Sequence, residues 1–201
     1  MDAEIALARR LARDLDGSFD DLVLAHQDRL FTIARRLLGG PSDAEEVTQD
    51  ALVRAYRALA GYPKQRIREV RLRPWLAAIV VNLARNRRRR LVDRQPAVPL
   101  APLLEAGLDL HDRPVERPES RHALAETRRE WAIRLAALPP AYRAAVVLRH
   151  IDGLSYDELS IALGRPEGTV KAQVHRGLRL LRAALDADAA TDRLAAREMT
   201  A

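Results

Sequence analysis

Apolar residues recur at intervals of three and four along most of this chain, which is the spacing of amphipathic helices. In the first half the pattern stops at Gly39-Gly40-Pro41, resumes after Ser42, which we expect to cap the next helix, and stops again near Gly61-Tyr62-Pro63. Another helix is predicted to open at Pro74, because proline suits the first turn. The apolar positions of these helices are Leu22, Leu24, Leu30, Ile33, Ala34, Leu37, Leu38, Val47, Ala51, Leu52, Ala55, Tyr56, Leu76, Ile79, Val80 and Leu83.

The second half of the chain shows the same periodicity in shorter segments. A helix around Leu135 is predicted to stop at Pro139-Pro140, and a second one, from Tyr142 to Ile151, to end at Asp152-Gly153. The chain has few β-branched runs that would seed strands, and Ala, Leu and Arg dominate its composition. These features predict an all-α protein.

A proline-rich stretch separates the two halves. Proline lacks an amide donor and biases the preceding residue away from helix, so this stretch is predicted to be an extended linker. Its prolines are Pro96, Pro99, Pro102, Pro114 and Pro118. We therefore predict two small helical domains, at 1–92 and 124–186, joined by a linker at 93–123 and followed by a polar, alanine-rich tail at 187–201.

A helix-turn-helix is predicted in the C-terminal domain. Ser155 and Glu158 match a capping box that starts a short helix, and Gly164 suits the left-handed turn that ends it. A longer recognition helix is predicted from about Pro166 to Leu185. Its expected inward stripe is Val170, Val174, Leu178, Leu181 and Leu185, and its other face carries Lys171, His175, Arg176, Arg179 and Arg182. An ordinary helical hairpin with a solvated basic face explains this segment equally well, so the motif alone leaves DNA binding open.

Composition and charge favour a polyanionic partner. The formal net charge is +6 and the sequence pI is about 10.4. In about half of the proteins with such an excess of positive charge, however, the charged side chains are only solvated surface. Cysteine is absent and the five His residues are scattered, so we expect no metal centre and no cofactor. The N-terminal segment mixes charges into its apolar positions, which argues against a signal peptide or a membrane span and predicts a cytoplasmic protein.

Four motifs occur in a fixed order around the linker. The first two are Asp43-Ala44-Glu45-Glu46-Val47-Thr48-Gln49-Asp50, and Pro74-Trp75-Leu76 followed by Asn82 and Asn86. The others are Leu138-Pro139 with Arg143, and Gly153-Leu154-Ser155-Tyr156-Asp157-Glu158-Leu159 followed by Gly168-Thr169-Val170-Lys171. In this order they resemble bacterial RNA polymerase sigma factors of the small, two-domain extracytoplasmic-function (ECF) group. The resemblance covers most of the chain.

The resemblance implies a function in promoter recognition. Core RNA polymerase, at its clamp and flap regions, and promoter DNA are the implied partners, an anti-sigma factor is a further candidate, and no membrane insertion is expected. The implied core-polymerase contacts are Asp43, Glu46, Gln49 and Asp50. The implied contacts to the melted minus-ten element are Asn82, Arg85, Asn86 and Arg89, and those to the minus-thirty-five element are Arg165, Thr169, Lys171, Ala172, His175, Arg176 and Arg179.

The segment from Gly61 to Arg73 matches the family's loop that captures a flipped base. Flipping costs a few kcal/mol and needs a pocket. Tyr62 is the one aromatic residue of this segment, so the pocket residues stay unassigned. Trp75, directly after it, is expected to anchor the core rather than to stack on a base.

Two other function classes stay open at this point. A stand-alone helix-turn-helix regulator would share the C-terminal motif but would need neither the acidic residues at 43–50 nor the Asn82 face. A nuclease would hold a divalent ion with Asp43, Glu45, Glu46 and Asp50, but side chains from a single helix rarely complete a metal site. The acidic face is also compatible with mere solvation. The favoured expectation is a non-enzymatic promoter-specificity subunit.

Overall fold

A computed structural model describes residues 2–94, here called the N-terminal half, and residues 130–198, the C-terminal half. Helix is the regular secondary structure of both stretches, which confirms the predicted all-α fold class. Side chains are described over 3–90 and 130–187. Most of the predicted linker, at 95–123, and the end of the predicted tail, at 199–201, lie outside the described residues.

The helices follow the chain in a simple order. In the N-terminal half they are α1 (Asp2–Arg13), α2 (Leu15–Leu38), α3 (Pro41–Ala60), α4 (Lys64–Glu69) and α5 (Leu72–Arg94). In the C-terminal half they are α6 (described over 130–137), α7 (Pro140–Val146), which continues as a π-helical turn (Val147–Ile151), α8 (Tyr156–Leu163) and α9 (Glu167–Glu198). Among these described helices, none is both long and apolar enough to cross a membrane.

Helix α2 is the centre of the N-terminal half and packs against α1, α3 and α5. Most predicted apolar positions are buried in this packing, among them Leu22, Leu30, Ile33, Val47, Ala51, Ala55, Leu76 and Val80. Two of them are exposed instead, since Leu24 is 71% exposed and Tyr56 is 37% exposed. Leu24 lies two residues after the buried Leu22, which places it about 200° around the helix, on the opposite face.

The turn between α2 and α3 differs from the prediction. The N-cap of α3 is Gly40 and not Ser42, so the expected cap is wrong. Pro41 takes the first helical position, which moves the boundary forward and leaves α3 without a side-chain cap. The chain reverses at Gly39, whose φ of 89° is a conformation that glycine adopts without strain.

The stretch from Gly61 to Arg73 is not a plain loop, because it contains the short helix α4. Helix α5 then begins at Leu72, so Pro74 lies in its first turn as predicted. Trp75 is partly buried and packs against the core, with its ring centroid 6.3 Å from that of Tyr62.

Helix α9 packs differently from the predicted stripe. The buried positions are Val170, Gln173, Val174, Gly177 and Leu181, whereas Leu178 is exposed. Gly177 allows the close approach of α7, because a Cβ added at this position would lie only 2.6 Å from Cγ2 of Val146. The helix also runs past the predicted end at Leu185 to Glu198, since residues 186–198 are rich in alanine and contain no glycine or proline.

The two halves pack on each other and share one hydrophobic core. Helix α5 packs against α8, and α2 packs against the π-helical turn. Arg29 of α2 donates from Nη2 to Oδ2 of Asp152 at 2.5 Å, and the Asp152 side chain is only 1% exposed. Arg73 donates to the Asp152 carbonyl oxygen at 2.8 Å, and Arg71 pairs with Asp157 at the surface. We call the first of these pairs the Arg29–Asp152 contact.

Candidate nucleic-acid interface

Helices α8 and α9 form the predicted helix-turn-helix. Oγ of Ser155 accepts from the Glu158 amide at 3.2 Å, and the Glu158 carboxylate accepts from the Ser155 amide at 2.8 Å, which confirms the capping box. Gly164 ends α8 in the left-handed conformation, with φ 60° and ψ 40°. Oγ of Ser160 then donates to the Arg165 carbonyl oxygen at 2.7 Å. This capped turn fixes the direction in which α9 leaves it.

The basic face of α9 is open to solvent. Every residue predicted to contact the minus-thirty-five element is exposed: Arg165, Thr169, Lys171, Ala172, His175, Arg176 and Arg179. A groove of about 700 Å³ beside the helix is lined by four of them, Arg165, Thr169, Ala172 and Arg176. Lys171 differs from its neighbours because its Nζ lies 2.7 Å from Glu167, whose hydrogen bond raises the pKa of Lys171.

Helix α5 presents its predicted polar face outward. Asn82, Arg85, Asn86 and Arg89 are all exposed, while Leu76, Val80 and Leu83 of the same helix are buried. None of the four exposed side chains has an ion-pair partner among the described residues, so their donors are available. Amide groups can pair with base edges and guanidinium groups can hold phosphates, which is the chemistry that an unpaired strand requires.

In the segment predicted to capture a flipped base, the one aromatic ring is covered by an arginine of the same segment. The guanidinium carbon of Arg66 lies 3.8 Å from the ring centroid of Tyr62, as in a cation–π pair. Tyr62 and Trp75 are both partly buried and pack against the core. The residues of a base pocket stay unassigned here.

The acidic face of α3 is exposed but partly neutralised. Arg87 of α5 contacts Asp43 at 2.7 Å and Glu46 at 2.5 Å, and hydrogen bonding to Asp43 is the main cause that raises the pKa of Arg87. Gln49 and Asp50 extend the same face and are exposed. In the described parts of the chain, no group of three or more His, Cys, Asp or Glu side chains is placed to hold a metal ion. The position beside these carboxylates is occupied by a guanidinium.

Two arginines make contacts between segments that the sequence does not predict. Arg87 lies in a run of four arginines at 87–90, and nothing in its sequence context signals that it pairs with α3. Arg143 was noted in a motif without a role, and the structure places it 4% exposed between the halves. Its Nη1 donates to the carbonyl oxygen of Leu37 at 2.9 Å, and its Nη2 donates to that of Leu138 at 3.2 Å.

Two family models match this chain. Residues 22–94 match sigma-70 region 2, and residues 133–181 match sigma-70 region 4. The ECF RNA polymerase sigma factor SigW of Bacillus subtilis is 30% identical over 89% of this chain and 96% of its own length. This chain belongs to the ECF sigma factors. Region 2 therefore covers α2 to α5, and region 4 covers the helix-turn-helix of this sigma factor.

Other relatives agree with this membership. SigE of Mycolicibacterium smegmatis is 37% identical over 82% of the chain, and the match spans 60% of that longer protein. Among solved structures, CnrH in complex with the cytosolic domain of CnrY aligns with a TM-score of 0.66 and 27% identity, over 92% of this chain and 99% of that one. The sigma factor RpoE in complex with the anti-sigma factor NepR, from Bartonella quintana, shares the fold with a TM-score of 0.61 at 22% identity, over 85% and 98% of the two chains.

Proposed function

We propose that this chain is the promoter-specificity subunit of an RNA polymerase holoenzyme and acts in the cytoplasm without performing chemistry itself. The observation that supports this proposal is that three outward faces, each able to bind polymerase or DNA, lie in the parts of the chain that match sigma-70 regions 2 and 4. These are the acidic face of α3, the Asn and Arg face of α5, and the basic face of α9.

The acidic face is proposed to bind the polymerase clamp. Asp43, Glu46, Gln49 and Asp50 lie on one side of α3, where they would complement a basic surface. Arg87 already pairs with two of these carboxylates, so it competes with basic clamp residues or joins them at the rim. Among the described residues Asp50 has no ion-pair partner, so it is the carboxylate of this face most available to the clamp.

The two DNA-binding assignments follow from the exposed donors. We assign Asn82, Arg85, Asn86 and Arg89 to the melted minus-ten strand, because amides and guanidinium groups suit bases that are no longer paired. We assign the start of α9 to the minus-thirty-five duplex, because the first turns of a recognition helix meet base edges in the major groove. The assigned residues are Arg165, in the turn before α9, and Thr169, Lys171, Ala172, His175, Arg176 and Arg179 of α9.

An anti-sigma factor is a proposed further partner. Two solved relatives are described in complexes, CnrH with the cytosolic domain of CnrY and RpoE with the anti-sigma factor NepR. An inhibitor of this kind would have to cover at least one of the three outward faces. An inhibitor on the acidic face of α3 is expected to exclude core polymerase, whereas an inhibitor on the α5 or α9 face is expected to exclude promoter DNA.

Reconstituted transcription tests the proposed function. The full chain is mixed with core RNA polymerase and genomic DNA, and start sites that appear only with the chain are mapped. We expect co-purification with core enzyme and initiation at a defined set of promoters. A stand-alone regulator would bind DNA but would neither co-purify with core enzyme nor create start sites, and that result would reject the proposal.

The clamp assignment has its own test. Glu46→Lys combined with Asp50→Lys is expected to weaken core-polymerase binding at least tenfold, since two attractive charges become repulsive. The matched control combines Asp20→Lys with Asp28→Lys, which makes the same charge change at exposed positions of α2. Equal affinity of both double variants for core enzyme would remove α3 as the clamp-binding face.

A further inference from the structure

A cleft of about 330 Å³ lies where the two halves meet. One part of its wall is apolar and includes Leu37 of α2, Val81 of α5 and Leu163 of α8. The other part is cationic. Four arginines line it, and they come from three separate segments of the fold: Arg85, Arg88, Arg143 and Arg165.

The positive charges of this cleft have no counter-charge. No Asp or Glu lines it, and among the described residues no carboxylate pairs with Arg85, Arg88 or Arg165. Arg143 is almost fully buried, and its Nε has no hydrogen-bond partner. Burial, with the nearby positive charge of Arg88, lowers the pKa of Arg143 to about 10. Like charges gathered in this way are stabilised when an anion enters between them.

The chemistry of the walls selects the kind of anion. Guanidinium groups match phosphate oxygens with two parallel hydrogen bonds, and several of them match a chain of phosphates. The apolar wall, together with the planar guanidinium faces, suits a base and a sugar. The volume is at the lower end of the roughly 300–1,000 Å³ that small-molecule sites occupy, and it is too small for a duplex.

We propose that this cleft binds a nucleoside polyphosphate. The neighbouring groove of about 700 Å³ shares Ala141, Arg165 and Gln173 with the cleft and leads to Arg176, so a longer phosphate chain can extend toward α9. Because both halves contribute to the walls, the ligand binds only when they are packed together and stabilises that arrangement. Arg85 and Arg165 are also proposed DNA contacts, so nucleotide and promoter DNA compete for them.

Equilibrium binding to the isolated full chain tests the inference without polymerase or promoter. The probes are ATP, GTP, inorganic pyrophosphate and adenosine, titrated calorimetrically at fixed ionic strength. We expect saturable binding of one nucleoside triphosphate per chain, weaker binding of pyrophosphate and no binding of adenosine. Failure of the proposed sigma function would leave this result unchanged.

The site is located by a matched pair of variants. Ala141 is exposed and lines both cavities, so Ala141→Glu places a carboxylate among the arginines, whereas Ala141→Gln adds nearly the same volume without charge. We expect Ala141→Glu and Arg88→Ala to weaken triphosphate binding about tenfold or more, as loss of charge-assisted contacts does. Ala141→Gln, and Arg9→Ala on the exposed side of α1, should leave it nearly unchanged.

Several results would overturn the inference. Absence of saturable binding at millimolar triphosphate would reject the site. Equal weakening by Arg9→Ala and Arg88→Ala would show general attraction to a basic protein. Pyrophosphate that binds as tightly as ATP would reject the nucleoside part and leave an inorganic anion site only.

Discussion

Arg143 shows how a single buried side chain can join two parts of a fold. Its guanidinium donates to carbonyl oxygens at the end of α2 and just before α7, so it satisfies backbone groups that helix ends leave unpaired. Lysine has a single ammonium group and could not reach both sites in this geometry. A buried charge of this kind contributes specificity to the packing even where its net stabilisation is small.

Stability should depend on the titration of His26. Burial, aided by the positive charges of Arg29 and Arg73, lowers the pKa of His26 from 6.5 to about 4, and neither ring nitrogen has a hydrogen-bond partner. Between these two values the unfolded chain takes up a proton that the folded chain excludes, so stability falls as the pH falls from 6.5 to 4. The full shift corresponds to about 3 kcal/mol.

Urea unfolding of the wild type and of His26→Leu, from pH 4 to pH 7, measures this effect. Carboxylates titrate in the same range in both proteins, so the difference between the two curves isolates His26. We expect the variant to lose less stability on acidification. Parallel curves would mean that the folded chain takes up a proton at His26 as readily as the unfolded chain does.

Promoter discrimination should depend on Arg176, an exposed residue at the edge of the groove beside α9. Arg176→Ala is expected to cost about 1–3 kcal/mol in binding to duplexes taken from upstream of mapped start sites, if the contact is to a base edge. Arg182→Ala, the same change further along α9, is the control. Fluorescence anisotropy with the promoter duplex and with a scrambled duplex gives the specificity ratio. An equal loss of affinity for both duplexes would mean that Arg176 contacts a phosphate and not a base edge.

Among the helices, the contact of α9 with α7 depends on one glycine. Gly177→Ala would normally favour a helix, but the added Cβ meets Cγ2 of Val146 at 2.6 Å and lies 3.4 Å from Tyr142. Val146 is buried and stiff, so we expect a loss of about 1–3 kcal/mol from overpacking. Gly168→Ala, where nothing lies within 4 Å, should instead stabilise α9 by up to about 1 kcal/mol. Thermal unfolding of the two variants compares them, and a stabilising Gly177→Ala would contradict the close approach.

Helix ends marked by local chemistry were predictable from the sequence. The capping box at Ser155, the left-handed Gly164 and the stop at Asp152-Gly153 depend on residues adjacent in the chain. The burial of a position that depends on a residue distant in the chain was harder to predict from the sequence. Periodicity favoured Leu178 for the core of α9, but the approach of α7 selects Gly177, a choice that no local pattern encodes.

The same distinction applies to the candidate site. Outward faces on α3, α5 and α9 follow from helical spacing within one segment, and the predicted residues are exposed except Asp43, which is partly buried. Pairing between segments does not follow from spacing. Arg87 reaches Asp43 across forty-four positions, and Arg29 reaches Asp152 across one hundred and twenty-three, so both contacts appear only once the helices are packed.

At the scale of the whole molecule, the packed arrangement is too short to reach both promoter elements at once. A compact chain of this length has a radius of gyration of about 16–17 Å, and thus a diameter near 45 Å. The two promoter elements, named by positions about 25 base pairs apart, are separated by roughly 85 Å along straight duplex. Simultaneous binding to both elements would therefore require the halves to separate.

The Arg29–Asp152 contact should control this separation. Asp152→Ala leaves the Arg29 charge without its partner at a site where Arg29 is mostly buried, which is expected to cost about 3–5 kcal/mol of packing between the halves. Asp157→Ala removes an exposed partner of Arg71 and should cost no more than about 1 kcal/mol. Small-angle scattering should show a larger radius of gyration for Asp152→Ala alone. Identical scattering of both variants would mean that the contact does not hold the halves together.

We expect the buried pair between Arg29 and Asp152 to make promoter binding depend on separation of the two halves. Each 1.4 kcal/mol by which it favours the packed form lowers the apparent affinity for the two elements together by about tenfold, because only the open population can span them. If core enzyme holds the halves apart, the free energy of separating them is supplied by polymerase binding and no longer weakens promoter binding. We therefore expect the free protein to leave promoters unoccupied and the polymerase-bound protein to bind them, with the packing of the two halves as the cause of the difference.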